Sequence, residues 1–462
     1  MLKLDMTIAE MLECLETTAV GVPARTLRRK VNLCMDSREK AKGVVFWPIK
    51  GARFDAHQFV NQMEKDGALM SIVNQEAVEQ NTFTMYAPVD DTTKALLKLA
   101  KGYQRRFKVK KVAITGSNGK TTTKEMTKAV LSMKFNTHAT AGNFNNHIGV
   151  PMTLFQLKHS HEAAVVEMGT SGPDEIRPLS LATEPDVAVI TNIGASHLER
   201  LGDLDGVFRE KITIRDGLRK GGTLILNADD PRLCKVKSTR NVKVLTFGMN
   251  HGVIRPEKLV WNDDSCADFY VGRTHIVLNV PGTHNLYDAL AAIAVGKTFG
   301  IPMTAVAKAL SNYRATNMRM EFKKANGFKI VSDCYNANPS STKMALQTIG
   351  NMKTTGKRIA VLGDMLELGK ESANMHAQIG ALVPEMNFDL LLTVGKDARN
   401  YVKGAKSRGM KAVFHFDSVQ EIIEFLGDIV SEGDIFLVKG SRGMHMEQVV
   451  DALLKMTPVF KA

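Results

Sequence analysis

The chain has 462 residues, of which 44% are hydrophobic and 24% are charged, and its formal net charge is +13. This length is too great for one hydrophobic core and suggests about three domains. The composition is typical of a soluble globular protein, and the sequence lacks both a signal peptide and an apolar run long enough to span a membrane. We therefore expect a cytoplasmic protein without a membrane span.

The positive charge raises the question of nucleic-acid binding. Lysine and arginine are spread along the chain, and only residues 25–30 and 101–111 are dense in them. Few aromatic residues are interleaved in either stretch, so both resemble solvated faces more than a nucleic-acid surface. The charge favours small polyanionic substrates instead.

The cysteines are odd in number and lack the spacing of metal ligands. They are Cys14, Cys34, Cys234, Cys266 and Cys334. This pattern predicts reduced thiols in a cytoplasm.

The predicted elements divide the chain into three α/β domains. Residues 1–90 mix short strands and helices, whereas residues 91–313 and 314–462 alternate apolar strands with helices. Such alternation predicts mostly parallel sheets. The expected strands of the two larger domains lie at 163–169, 186–194, 222–230, 328–335, 357–365, 390–395 and 434–441, with a polar hairpin-like stretch at 244–283 and a helix at 285–299.

The stretch "VAITGSNGKTTTKEM", residues 112–126, predicts a strand, a glycine-rich loop and a helix. The stretch does not fit the usual phosphate-loop pattern, G-x-x-x-x-G-K-[ST], because Ile114 occupies the place of the first glycine. Gly116 and Gly119 still let backbone N–H groups turn toward a phosphate at the helix N-terminus, where Lys120 adds a positive charge and Thr121 a ligand for Mg²⁺. The alternative is a plain turn with a solvated lysine. The predicted nucleotide-binding residues of the loop are Thr115, Gly116, Ser117, Asn118, Gly119, Lys120, Thr121 and Thr122.

Three further polar residues follow the next strands of the same sheet. Glu167 ends "AAVVEMG", His197 lies in "TNIGASHLE", and Lys211 follows fourteen residues later. Because the carboxyl ends of parallel strands meet at one edge of a sheet, these residues predict a second metal site there. Taken singly, each residue has another interpretation. Glu167 could form an ion pair with a surface lysine, His197 could pack in a loop, and Lys211 could be an exposed helix lysine.

The sequence resembles the Mur ligases over essentially its whole length. The resemblance rests on "TGSNGKTTTKEM", "GNFNNHIGVPMTL", "VVEMG", "TNIGASHLE", "GTHNLYDALAA", "DCYNANPSSTKMAL", "VLGDMLELG" and "VKGSRGMHME". The shortened phosphate loop is the form that this family uses. The third-domain motifs are similar to those of the branch that adds D-alanyl-D-alanine.

The resemblance implies an ATP-dependent ligase that joins D-alanyl-D-alanine to UDP-N-acetylmuramoyl-tripeptide through an acyl phosphate. It implies a small UDP-binding domain, a central ATPase domain and a C-terminal Rossmann-like domain that binds the dipeptide. It also implies two Mg²⁺ ions, with Thr121, Glu167, His197 and a carbamylated Lys211 as the metal site, and catalytic roles for Lys120, Glu167, His197 and Lys211. Further nucleotide contacts are expected from Asn285, Arg319 and Asp333.

The resemblance also implies residues that bind the two other substrates. For the sugar nucleotide these are Ser37, Arg38, Gly51 and Arg53, whose alternative is a turn with solvated charges. For the peptide-bearing substrate they are Asn143, Asn145, Asn146 and His147, and for the dipeptide they are Asn336 and Asn338.

Two other functions remain open at the level of sequence. One is a different amide ligase of the same superfamily, which adds a single amino acid or extends folate with glutamate. The other is a nucleotide-binding regulator without turnover, against which the retained Glu167, His197 and Lys211 argue. We expect a monomer.

Overall fold

The computed structural model describes residues 1–51, 54–80, 82–315 and 318–458. Within these ranges no helix is both long and apolar enough to cross a membrane. The strands form four sheets, which follow one another along the chain.

The first sheet contains five strands in the order β1-β2-β3-β4-β5. Strands β1 and β2 are antiparallel, and the other neighbours are parallel. The strands are β1 (Leu2–Thr7), β2 (Lys30–Cys34), β3 (Val45–Phe46), β4 (Met70–Asn74) and β5 (Tyr86–Val89). The helices of this part are α1 (Ile8–Leu15), α2 (Ala24–Leu27), α3 (Val60–Lys65) and α4 (Gln75–Gln80), with a 3₁₀ turn at Ala56–Phe59.

The central sheet has six strands in the order β11-β10-β9-β6-β8-β7, and every neighbouring pair is parallel. The strands are β6 (Lys110–Thr115), β7 (Thr137–Ala139), β8 (Ala163–Glu167), β9 (Val187–Ile190), β10 (Gly222–Asn227) and β11 (Val242–Phe247). The helices are α5 (Thr92–Gln104), α6 (Lys120–Leu131), α7 (Gly149–Phe155), α8 (Ile176–Thr183), α9 (Leu198–Leu201) and α10 (Leu204–Ile212), with 3₁₀ turns at Thr213–Gly217 and Leu233–Lys235. The predicted parallel α/β architecture is confirmed.

An antiparallel sheet of three strands follows, formed by β12 (Glu257–Trp261), β13 (Cys266–Val271) and β14 (Thr274–Pro281). The sequence predicts a hairpin-like stretch from residue 244, but the first residues of that stretch belong to β11 of the central sheet. Strand β11 lies at the edge of its sheet and is mostly half-buried, and its sequence VKVLTF does not show locally whether it pairs with a hairpin or with the central sheet. Helices α11 (Thr283–Thr298) and α12 (Met303–Asn312) come next.

The last sheet has six strands in the order β15-β16-β20-β17-β18-β19, all parallel except for the pair β15 and β16. The strands are β15 (Glu321–Ala325), β16 (Phe328–Asp333), β17 (Arg358–Gly363), β18 (Leu390–Val394), β19 (Val413–Phe416) and β20 (Ile435–Lys439). The helices are α13 (Pro339–Gly350), α14 (Ser372–Glu385), α15 (Arg399–Ser407), α16 (Val419–Gly427) and α17 (Glu447–Leu453), with 3₁₀ turns at Gly369–Glu371 and Arg442–Met444. Strands β15 and β19 were not predicted; both lie at edges of the sheet.

The hydrophobic clusters do not follow the sheets one to one. One cluster joins side chains of the first sheet, such as Leu33, to side chains of the central sheet, such as Val166. By contrast, the two clusters of the last sheet contain only residues between 318 and 456. We call residues 318–458 the C-terminal unit. The division of binding tasks among residues 1–90, 91–313 and 314–462 stays a prediction.

Candidate active site

A cavity of about 590 Å³ lies between the central sheet and the C-terminal unit. It opens at the carboxyl ends of β6, β8 and β9 on one side and of β16 and β20 on the other, as expected for open parallel sheets. It brings together most of the predicted site residues: Ser117, Asn118, Gly119, Lys120, Thr121, Thr122, Asn143, Asn145, Asn146, Glu167, His197, Asn285, Arg319, Asp333, Asn336 and Asn338.

The glycine-rich loop joins the buried strand β6 to helix α6. Gly116 has φ 154° and Gly119, at the N-cap of α6, has φ 80°. The end of β9 holds the loop, since the Thr191 hydroxyl donates to the Asn118 carbonyl at 2.5 Å and the Asn118 N–H donates to the Asn192 side chain at 3.0 Å. The loop therefore presents the first turn of α6 to the cavity in a fixed conformation, which suits an anion.

Gly116→Ala is expected to distort this loop and to weaken nucleotide binding strongly. A Cβ atom at Gly116 would overlap the Thr191 side chain, and its φ disfavours any residue other than glycine. The measurement is nucleotide affinity by titration calorimetry, together with the melting temperature.

The matched control for this change is Gly221→Ala. Gly221 also has a positive φ, 79°, but a Cβ atom there meets nothing within 4 Å. The control should lose some stability and keep its affinity for nucleotide. Equal affinities in both variants would contradict the role of the loop.

Lys120 extends from the first turn of α6 into the cavity. Its ammonium donates to the carbonyls of Gly116 at 2.8 Å and Ser117 at 3.3 Å. Desolvation by the surrounding protein lowers the pKa of Lys120 from its ordinary value, while Glu167 acts in the opposite direction. A lysine in this position is available to an anionic ligand that replaces the two carbonyls.

Glu167, at the end of β8, has one oxygen engaged and one free. Its Oε1 accepts a hydrogen bond from Asn145 Nδ2 at 2.8 Å, and its buried Oε2 has no hydrogen-bond partner. The nearest cation is Lys124, whose Nζ is 3.9 Å from Oε2 and donates to the Thr140 carbonyl at 2.8 Å. A buried carboxylate oxygen without a partner fits a cation ligand.

Other donors would have to complete such a metal site. In the part of the chain that the structure describes, no three His, Cys, Asp or Glu side chains are grouped to hold a metal ion. A site at Glu167 therefore needs hydroxyl, water or ligand oxygens, of which the Thr121 hydroxyl faces the same cavity.

His197 and Lys211 lie close to the loop lysine. His197 has a left-handed backbone, φ 53°, and its Nδ1 is 3.6 Å from Glu367 Oε2. Burial lowers the pKa of His197, and Lys120 and Lys211 lower it further. The Lys211 side chain is only 1% exposed, and burial together with Lys120 places its pKa well below the ordinary value. Lys211 is therefore not the exposed helix lysine of the alternative interpretation.

The C-terminal unit contributes the opposite wall. The Asp333 carboxylate accepts from Lys439 Nζ at 2.6 Å, and the Arg319 guanidinium lies 3.9 Å from the Tyr335 ring centroid. Asn338 caps helix α13 and also donates from Nδ2 to Asn118 Oδ1 at 2.8 Å. Asn338 is thus engaged in a cap and in a contact between the two walls.

Sequence reasoning missed Asp288 of helix α11. Its carboxyl accepts from the Thr123 hydroxyl at 2.8 Å, and burial raises the pKa of Asp288 to about 8. A Cβ atom on Gly119 would overlap this carboxyl, so Asp288 packs directly under the loop. The available signal was its spacing in "GTHNLYDALAA", one helical turn after Asn285. Further residues that line the cavity and that the sequence did not predict as site residues are Thr191, Asn192, Tyr287, Glu175, Tyr335, Glu367 and Lys439.

Some predicted residues do not line this cavity. Thr115 is buried at the end of β6 with an unpaired hydroxyl, and His147 has a buried Nδ1 without a partner. Ser37, Arg38 and Gly51 belong to the first part of the chain, where the Arg38 guanidinium pairs with Asp36 at 2.6 Å. Gly116 and Lys211 are not among the lining residues, and Arg53 lies outside the described residues.

Two parts of the chain match family descriptions that both name Mur ligases. Residues 114–296 match the Mur ligase middle domain, and residues 318–442 match the Mur ligase, glutamate ligase domain. A UDP-N-acetylmuramoyl-tripeptide--D-alanyl-D-alanine ligase of Bacillus subtilis (strain 168) is 37% identical over 425 residues, which cover 91% of this chain and 92% of that protein. The chain belongs to the Mur ligase family.

Other relatives agree with this membership. The Escherichia coli (strain K12) protein of the same name is 35% identical to this Mur ligase. The match covers 90% of this chain and 92% of the Escherichia coli protein. The structure of MurF from Acinetobacter baumannii superposes with a TM-score of 0.88 at 29% identity, covering 98% of this chain and 99% of the other. The structure of MurF from Thermotoga maritima in complex with ADP superposes with a TM-score of 0.82 at 28% identity. The superposition covers 92% of this chain and 97% of the other. The predicted three-part Mur ligase fold is confirmed.

Proposed function

We propose that this Mur ligase joins D-alanyl-D-alanine to UDP-N-acetylmuramoyl-tripeptide at the expense of ATP, and so completes the cytoplasmic peptidoglycan precursor. The observation that carries the proposal is the phosphate loop opening into a cavity shared with the C-terminal unit, in a chain that covers at least nine-tenths of relatives with this name.

The reaction moves the γ-phosphoryl group of ATP onto the terminal carboxylate of the tripeptide, which gives ADP and an acyl phosphate. The amine of the dipeptide then attacks the acyl carbon, the bond from that carbon to the phosphate oxygen breaks, and the nitrogen loses a proton. Catalysis of this kind depends on positioning and on neutralising charge at the transferring oxygens. The loop N–H groups and Lys120 position the phosphates and neutralise their charge. Glu167, His197 and Lys211 complete the catalytic group.

Mg²⁺ fits the donors present, because Glu167 has a buried oxygen without a partner and Thr121, which carries a hydroxyl, lines the same cavity. When bound, such ions neutralise phosphate charge. We propose two ions, held by Thr121, Glu167, His197 and Lys211. Lys211 would contribute as a carbamate, which forms only from an uncharged amine, and its lowered pKa supports that state.

The remaining site residues are assigned to substrates from the resemblance of their motifs to those of Mur ligases. Asn285, Arg319 and Asp333 are proposed for the nucleotide, since each lines the cavity beyond the loop. The peptide-bearing substrate is assigned to Asn143, Asn145, Asn146 and His147, the dipeptide to Asn336 and Asn338, and the uridine end to Ser37, Arg38, Gly51 and Arg53. We propose that the enzyme acts as a monomer.

The test is to incubate the protein with ATP, UDP-N-acetylmuramoyl-tripeptide and either D-alanyl-D-alanine or single amino acids, and to measure phosphate release and product mass. We expect phosphate release and a pentapeptide product only with the dipeptide. Turnover with a single amino acid would instead identify another ligase of the superfamily. Nucleotide binding without phosphate release in any mixture would identify a regulator.

A further inference from the structure

Five carboxylates line the cavity, and one differs from the rest. They are Glu167, Glu175, Asp288, Asp333 and Glu367. Each of the first four accepts a hydrogen bond from a neighbour on its own side of the cavity. The Glu367 carboxylate accepts none from the described residues, and its side chain is 73% exposed.

Glu367 reaches across the cavity from the C-terminal unit. Its Oε2 lies 3.6 Å from His197 Nδ1, which is too far for a hydrogen bond but close enough for an ion pair. His197 is in turn near enough to Lys120 for the lysine charge to lower the pKa of the histidine. The Glu367 carboxylate is therefore directed toward the wall of the cavity that carries His197 and Lys120.

The backbone at Glu367 is held in a conformation that costs energy. Its φ is 64°, a left-handed value that residues other than glycine adopt uncommonly. Hydrogen bonds fix the two preceding residues, since the Met365 N–H donates to His376 Nε2 at 3.0 Å and the Leu366 N–H donates to the Ser441 hydroxyl at 2.9 Å. Strained residues that are fixed in this way concentrate at binding and catalytic sites.

Glu367 is the lining carboxylate that is available to an ammonium group, because the other four accept hydrogen bonds and the remaining oxygen of Glu167 is assigned to Mg²⁺. Lys120, Arg319 and Lys439 line the cavity as cations, and since Lys439 is paired with Asp333, Lys120 and Arg319 are the two that remain for phosphate. The α-amino group of a peptide is largely protonated at neutral pH, because its pKa is about 8. An incoming ammonium group would be repelled by these cations unless an anion received it.

We propose that the Glu367 carboxylate binds the α-ammonium group of the incoming dipeptide beside the acyl group. The ammonium group then gives up one proton to water, and the neutral amine attacks the acyl carbon. The inference rests on the proposed function, and it assigns the amine end of the dipeptide to a residue that is separate from Asn336 and Asn338. It makes Glu367 a determinant of substrate binding whose contribution depends on charge.

The test is Glu367→Gln, which keeps the size of the side chain and removes its charge. Loss of a hydrogen bond to a charged group typically costs about 1.5–3 kcal/mol, so the KM for D-alanyl-D-alanine should rise about tenfold to a hundredfold. The KM values for ATP and for the UDP-tripeptide should not change. The control is Glu371→Gln, an exposed glutamate of the same loop that does not line the cavity, which should leave all three KM values unchanged.

A second readout separates binding of the ammonium from an effect through His197. Hydroxylamine is largely uncharged at neutral pH and traps an acyl phosphate as a hydroxamate without the dipeptide. Glu367→Gln should form hydroxamate at the wild-type rate. A rate that falls as much as ligation falls would show that Glu367 acts through His197, and would overturn the proposal.

The two hypotheses fail differently. If the wild-type protein does not ligate D-alanyl-D-alanine at all, both the proposed function and this inference are overturned. If the wild-type protein does ligate it and Glu367→Gln retains the wild-type KM for the dipeptide, only the role of Glu367 is overturned.

Discussion

Lys120→Ala is expected to reduce ligation by at least about a hundredfold, the usual effect of removing one charged group that faces the transition state. The ammonium of Lys120 now donates to two loop carbonyls and would turn to the phosphates when ATP enters. Since desolvation lowers its pKa, the charged lysine opposes folding at neutral pH, and its removal should not lower the melting temperature. Phosphate release and thermal unfolding measure the two effects.

Lys128→Ala is the matched control, because Lys128 is an exposed lysine on the same helix. It should leave both phosphate release and melting temperature close to the wild-type values. Near-normal phosphate release in Lys120→Ala, with unchanged stability, would contradict the phosphate-loop assignment.

Lys211→Ala is expected to abolish nearly all activity, and millimolar acetate should restore part of it. The reason is that a carbamate on Lys211 would supply an anionic oxygen, and a small carboxylic acid can enter the vacated space and replace that oxygen. A direct readout is a carbon-13 carbamate resonance from protein equilibrated with labelled bicarbonate, which should be present in the wild-type protein and absent in Lys211→Ala.

A second buried lysine provides the control for Lys211. Lys111 is fully buried, its pKa is lowered to about 8 by burial, and its ammonium donates to Gln104 away from the cavity. Lys111→Ala should keep the carbamate resonance, and acetate should not change its rate. Full activity of Lys211→Ala would remove Lys211 from the catalytic group, and a wild-type spectrum without the resonance would exclude the carbamate.

The phosphate loop could be predicted because its information is local. A buried strand, glycines at 116 and 119, and a helix beginning at Lys120 are contiguous in sequence, and the physical reason for each is contained in fifteen residues. The same holds for Glu167, which directly ends a buried strand.

Residues that depend on long-range packing could not be assigned in this way. Asp288 meets Thr123 across 165 positions, and Asn338 meets Asn118 across 220. Glu367 sits in the recognised motif "VLGDMLELG", but its importance comes from a positive φ and from the facing His197, neither of which the motif encodes. Edge strands such as β11 and β19 were missed or misread although their sequences, VKVLTF and VFHF, are mostly apolar, because such short stretches do not show which sheet they join.

The separate hydrophobic clusters of the C-terminal unit have a thermodynamic consequence. Within the described residues the contacts that join this unit to the rest of the chain include polar pairs such as Asn338 with Asn118 and Lys329 with Asp264, which water can replace when they part. Parting the units would thus leave each cluster intact, and a nucleotide that touches both walls would favour the joined arrangement by its differential affinity alone. The dissociation constant measured for nucleotide would then include the work of bringing the walls together. Lys329→Ala, which removes one contact between the units far from the phosphate loop in sequence, would make it harder to bring the walls together. It would therefore weaken nucleotide binding.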